Sequence, residues 1–143
     1  MKSYIDAQPK SIQLCHIDAV PDNFLFVTGK DGSEEIKLID WEYAGMQDPH
    51  LDVAMFIIYA MYDRDSAEKL IDLYFSDGCD QATRLKVYCY IAVSGLVWSN
   101  WCEFKHHCGV EFGAYTQRQY DYAREYTKIF FKEYREAFGR DYV

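Results

Sequence analysis

The chain has 143 residues, half hydrophobic and 17% aromatic, which is enough for one domain-sized core and too aromatic for a disordered chain. A formal charge of −8 argues against a nucleic-acid partner and is compatible with a cationic small molecule. Five cysteines without a CxxC pair suggest neither a disulfide framework nor a zinc knuckle, and no apolar run approaches the roughly 18 residues of a membrane helix; a reducing cytoplasm is the expected location, with no membrane insertion.

Near the start, residues 14–26 read LCHIDAVPDNFLF. Two apolar stretches flank a loop bearing His16, Asp18, Asp22 and Asn23. NFLFVT and EEIKLID follow as strand-like segments around GKDGS, and Asp31-Gly32 is a strong signal for a two-residue hairpin turn. Pairing outward from that turn opposes Val27 to Ile36, Leu25 to Leu38 and Asn23 to Asp40. Those six would share one face, making an apolar ladder whose open end presents an amide and a carboxylate about 5 Å apart. Both are hard oxygen ligands suited to Mg²⁺. Taken alone, the pair also fits a simple pair of strand ends, since Asn and Asp terminate strands often.

DVAMFIIYAMY then reads as a buried helix. Asp65, three residues before Glu68, resembles a capping box for a helix reaching about Phe75, with Gly78 ending it. Asp80 is placed to cap a long helix to about Phe104, apolar nearly all round from Val87 to Trp98 and therefore central. Cys102, His106, His107 and Cys108 near its end match no standard zinc spacing. A last helix runs from about Tyr115 to Phe138. The fold expected is α+β and mostly helical: a single domain, residues 1–143, with one β-hairpin.

His16-x-Asp18-x-x-x-x-Asn23, followed after a hairpin by Ile39-Asp40-Trp41-Glu42, resembles the catalytic loop and second metal-binding motif of the kinase-like phosphotransferases. Within that superfamily, HxDxxPxN with IDWEYA is similar to the choline/ethanolamine kinase family, relatives of the aminoglycoside phosphotransferases, from about Leu14 to Phe130. The resemblance implies the C-terminal lobe of the protein-kinase-like fold. It implies Asp18 as catalytic base, Asn23 and Asp40 as Mg²⁺ ligands, and His16 and Asp52 as supports of the loop. It places Trp98, Trp101 and Tyr115 around the substrate cation. Tyr59 stands where several choline kinases have a carboxylate, and Glu42 and Asp48 are candidate acidic contributors. Trp98 and Trp101 lie three apart on one helix face, a spacing equally typical of core residues. The substrates implied are ATP and an amino alcohol, choline or ethanolamine. The rival readings are a kinase for an aminoglycoside or sugar, and a non-catalytic lobe that binds a quaternary amine or a partner.

Only seventeen residues precede Asp18, and none of the eight glycines falls in GxGxxG order. The chain is therefore expected to lack a nucleotide lobe, to be inactive alone, and to self-associate through the face that such a lobe would cover.

Overall fold

A computed structural model describes all 143 residues. The elements run α1 (Lys2–Ala7), β1 (Gln13–Cys15), β2 (Phe24–Thr28), β3 (Glu34–Leu38), β4 (Gly45–Gln47), α2 (His50–Tyr59), α3 (Arg64–Tyr74), α4 (Gln81–His107) and α5 (Ala114–Phe138). Short 3₁₀ turns at Pro21–Asn23 and Trp41–Tyr43 flank the hairpin. The core lies among the helices. Ile57, Ile58, Leu85, Val87, Ile91, Tyr122, Tyr126 and Phe130 are fully or almost fully buried.

Helix α4 is central because three elements pack on it: α5, α2 and α1. Gly95 sets its distance from α5. A Cβ there would stand 2.7 Å from the Gln119 carbonyl and 2.9 Å from Tyr122 Cβ, so the two helices approach closely only over a glycine. Asp80 caps α4 as its position suggests, accepting from the Thr83 amide at 2.7 Å. Helix α3 is capped by Asp63, which accepts from Ser66 N at 2.9 Å, and not by Asp65, which lies inside its first turn. Either aspartate precedes a helical run. Asp63 takes the cap because its backbone is extended, as a cap residue requires. The apolar girdle of α4 is incompletely covered: Val93, Leu96 and Val97 are exposed.

Two further differences concern the strands. There are two two-stranded sheets rather than one hairpin, because β1 pairs with β4, Cys15 opposing Gly45. The register of the β2–β3 hairpin is also shifted by one residue: Phe24 opposes Leu38, Phe26 opposes Ile36, and Leu25 opposes Lys37. The turn is the cause. A Gly29–Gly32 turn, closed by Gly32 N donating to Gly29 O at 3.0 Å, carries only Gly32 at positive φ, +82°. Gly29 N then donates to Ser33 O, so the loop has three residues with a bulge and not two. Asp31 accepts from Ser33 N and Oγ at 3.1 and 2.7 Å instead of entering the left-handed region. A one-residue slip moves every side chain to the other face. The expected ladder is therefore split between faces and largely exposed, with Leu25 42% and Ile36 63% accessible.

Candidate active site

The loop after β1 is held by one carboxylate. Asp52, in the first turn of α2, accepts from the amides of His16 at 2.7 Å and Ile17 at 2.8 Å. This two-toothed grip fixes a costly conformation, since Ile17 has φ +70°, a region β-branched residues avoid. His16 is buried, its Nε2 2.7 Å from the Ile39 carbonyl and its ring edge-on to Trp41 at 4.8 Å. It thus joins the loop to the residue just before Asp40. Asn23 is buried, and its Nδ2 donates to the Asp18 carbonyl at 3.0 Å, which leaves its Oδ1 as an acceptor.

The hairpin slip corrects the expected pairing of Asn23 with Asp40. Ile39 N donates to Asn23 O at 3.0 Å, so Ile39 is the residue opposite Asn23. Asp40 stands one position beyond, exposed and left-handed at φ +65°, ψ +59°. The two oxygen-bearing side chains flank the hairpin end without being directly opposed. No group of three or more His, Cys, Asp or Glu is clustered tightly enough to hold a metal. Asn23 and Asp40 nonetheless offer the hard oxygen donors that Mg²⁺ takes when phosphates and water complete its shell.

Beside the loop lies a cleft of about 540 Å³ lined by Ile17, Asp18, Val20, Tyr43, Tyr59, Trp98, Trp101, Phe112 and Tyr115. Rings follow one another around it. Tyr59 meets Trp98 edge-on at 5.3 Å, Trp98 stacks on Trp101 at 6.0 Å, Trp101 meets Phe112 at 5.3 Å, and Phe112 meets Tyr115 at 6.3 Å. Asp18 is the one ionisable carboxylate in the wall. The Tyr59 hydroxyl is buried without a hydrogen-bond partner; burial first, then the Asp18 charge, pushes it far above the usual tyrosine range. Burial likewise raises Tyr115. Both hydroxyls stay protonated at any physiological pH.

Four aromatic residues singled out in the sequence, Tyr59, Trp98, Trp101 and Tyr115, thus meet in one cavity with Asp18. Tyr43 and Phe112 belong there too and were not legible. Phe112 sits in the loop between α4 and α5, where no periodicity marks a face. Tyr43 follows Asp40 by three residues, and that proximity was its only signal. Glu42 is exposed and outside the cleft. Asp48 cannot serve the substrate cation: it is buried in an ion pair with Lys86, Nζ to Oδ2 2.6 Å.

Comparison with known proteins identifies the chain's relatives. Residues 2–88 match the model of the phosphotransferase enzyme family. The protein LicA of Haemophilus influenzae is 30% identical over 121 residues, covering 76% of this chain and 41% of LicA. A choline/ethanolamine kinase family protein from Mesorhizobium loti superposes with TM-score 0.72 at 27% identity, over 89% of this chain and 43% of that one. Choline kinase LicA from Streptococcus pneumoniae gives TM-score 0.66 at 27% identity, over 90% and 44%. The chain therefore spans less than half the length of these relatives, and its fold is the protein-kinase-like fold of choline/ethanolamine kinases. With the family model matching more than half of its residues, the chain belongs to the phosphotransferase enzyme family.

Proposed function

We propose that the chain is the catalytic-loop and substrate-binding lobe of a small-molecule kinase acting on choline, and that the complete enzyme transfers the γ-phosphate of ATP to the substrate hydroxyl. The observation that carries this reading is the aromatic cleft with a single carboxylate at its wall. A trimethylammonium group has no N–H to donate, so hydrogen bonds cannot hold it. Aromatic faces can, at about 0.5–2 kcal/mol per contact. An aminoglycoside, with several primary ammonium groups, would need several carboxylates, and this cleft has one. Relatives support a nucleotide co-substrate: a LicA structure of the same fold is a complex with AMP.

In this reading the ammonium rests among Tyr59, Trp98, Trp101 and Tyr115 while the hydroxyl points to Asp18. Asp18 orients the hydroxyl and accepts its proton as the oxygen forms a bond to the γ-phosphorus. The bond from that phosphorus to the bridging β–γ oxygen breaks, and ADP leaves. Asp52 and His16 keep the loop rigid, so that the work is positioning and charge stabilisation. Asn23 and Asp40 would hold Mg²⁺, which when bound neutralises phosphate charge. Turnover is proposed for the complete enzyme; ammonium binding is proposed for this chain. No helix of the chain is long and apolar enough to cross a membrane.

Calorimetric titration of the chain with choline and ethanolamine, repeated with Trp98→Ala and Trp101→Ala, tests this. Choline should bind more tightly than ethanolamine, and each substitution should weaken choline by about 0.5–2 kcal/mol. Unchanged choline affinity in both folded variants would make those rings plain core and remove the substrate assignment.

A further inference from the structure

The outer edge of β3 is unpaired: β2 and β3 form a two-stranded sheet with no third strand. Gly29 N donates to Ser33 O and Ile39 N to Asn23 O. Odd-numbered residues of β3 therefore direct their backbone groups toward β2. By the alternation of antiparallel ladders, Glu34, Ile36 and Leu38 direct theirs outward. The Leu38 carbonyl already accepts from Trp41 Nε1 at 2.9 Å. The Ile36 N–H and C=O, at the middle of the edge, have no such partner. A two-stranded ribbon is marginal in water; this one is packed at its base, where Phe24 meets Phe56 edge-on at 5.3 Å, and carries exposed Phe26 and Ile36 farther out on the same face.

We propose that this edge is a homodimerisation surface, on which β3 of a second copy pairs antiparallel about a two-fold axis through Ile36. The central triplet of the strand, Glu35-Ile36-Lys37, is self-complementary about Ile36, with Glu34 falling opposite Leu38 at either end. On the axis, Ile36 faces its own copy and the two exchange N–H···O=C bonds. On either side Glu35 faces Lys37 of the other chain, in the closer, non-hydrogen-bonded kind of pair. Lys37 already lies 3.7 Å from Glu35 of its own strand, both more than half exposed. The four charges would thus form a square of alternating sign. On the opposite face one row reads Phe26, Ile36, Ile36, Phe26 across four strands, a continuous apolar ladder of the kind that stabilises sheets. An isologous contact of this sort closes at two copies and does not propagate. The outer edge of β2, Phe24-Leu25-Phe26-Val27-Thr28, has no charge to fix a register, and β1 and β4 have three residues each.

The test is sedimentation velocity on the 143-residue chain and three variants, with circular dichroism to confirm retained helix. The wild type should be a monomer–dimer equilibrium. Lys37→Glu makes the square all negative and should weaken dimerisation at least about tenfold. The double exchange Glu35→Lys with Lys37→Glu restores alternating signs and should restore the dimer. Ile36→Pro removes an outward N–H without touching the β2 ladder and should give monomer. A wild type that stays monomeric at high concentration would overturn the proposal. So would a dimer indifferent to Lys37→Glu and Ile36→Pro, or a double exchange that fails to restore it.

Discussion

Replacing Lys86 by Met isolates the buried charge of Asp48. Lys86 and Asp48 are 2% and 4% exposed, and Lys86 Nζ donates to Asp48 at 2.6 Å and to the Pro9 carbonyl at 2.8 Å. Met keeps the stem in the core, so cavity formation contributes little. What remains is a carboxylate without its cation and a carbonyl without its donor. Breaking a buried pair from one side costs about 3–5 kcal/mol. Asp48 keeps the His50 amide at 3.2 Å and the Tyr90 hydroxyl at 3.1 Å, which places the loss near 3 kcal/mol, a large share of the roughly 5–15 kcal/mol of a typical domain. The pH dependence carries a second signature. In the wild type, burial opposes the charge of Asp48, but Lys86 and the His50 amide outweigh it and hold the carboxyl below its ordinary value. That contribution is present above the unfolded pKa near 3.9 and is lost as pH falls through the folded value. Without Lys86 burial dominates, the folded pKa rises above 3.9, and the penalty shrinks as pH falls through it. Urea unfolding between about pH 8 and pH 3 reads both effects. A loss under about 1 kcal/mol, the size of an exposed pair, with no dependence on pH, would refute the reasoning.

Gly95→Ala should destabilise by about 1–3 kcal/mol through overpacking against Gln119 and Tyr122, although an exposed helix would gain about 1 kcal/mol from the same change; thermal melting gives the sign. Asp52→Asn leaves the His16 and Ile17 amides with one good acceptor between them, so their hydrogen exchange should accelerate while that of α4 does not, with a loss of about 1.5–3 kcal/mol. Burial, with help from Lys86, lowers the His50 pKa. The unfolded chain then binds a proton more readily, so stability should fall as pH drops from about 6.5 toward the folded value; His50→Phe should flatten that part of the melting profile, and an unchanged slope would show that His50 is not the group titrating.

The helices were legible because their signals are local and repeated. Asp80, the apolar stretch from Val87 and the Tyr115–Phe138 periodicity each point to one answer. The hairpin was legible as a hairpin, from Asp31-Gly32, but its register was not. That depends on whether Asp31 enters the left-handed region, and Ser33 decides it by offering Asp31 two hydrogen-bond donors. Pairing of β1 with β4 was hidden because three-residue strands about thirty residues apart carry no pattern. The grouping of Tyr59, Trp98, Trp101 and Tyr115 came from family resemblance rather than from spacing, since rings at helical intervals look the same in a core. Asp48 was misjudged because a carboxylate's partner in space, here Lys86 on α4, leaves no trace in its neighbours along the chain.

The proposed function rests on the aromatic cleft beside Asp18 recognising a cation by its charge as well as its shape. Titrating the chain with choline and with 3,3-dimethylbutan-1-ol, which has the same outline with carbon in place of the charged nitrogen, separates those two. With three or four rings in reach at about 0.5–2 kcal/mol each, choline should bind at least tenfold more tightly, with shifts at the Trp98 and Trp101 indole N–H signals; equal affinity for the two ligands, or choline binding that leaves both indoles undisturbed, would contradict the account.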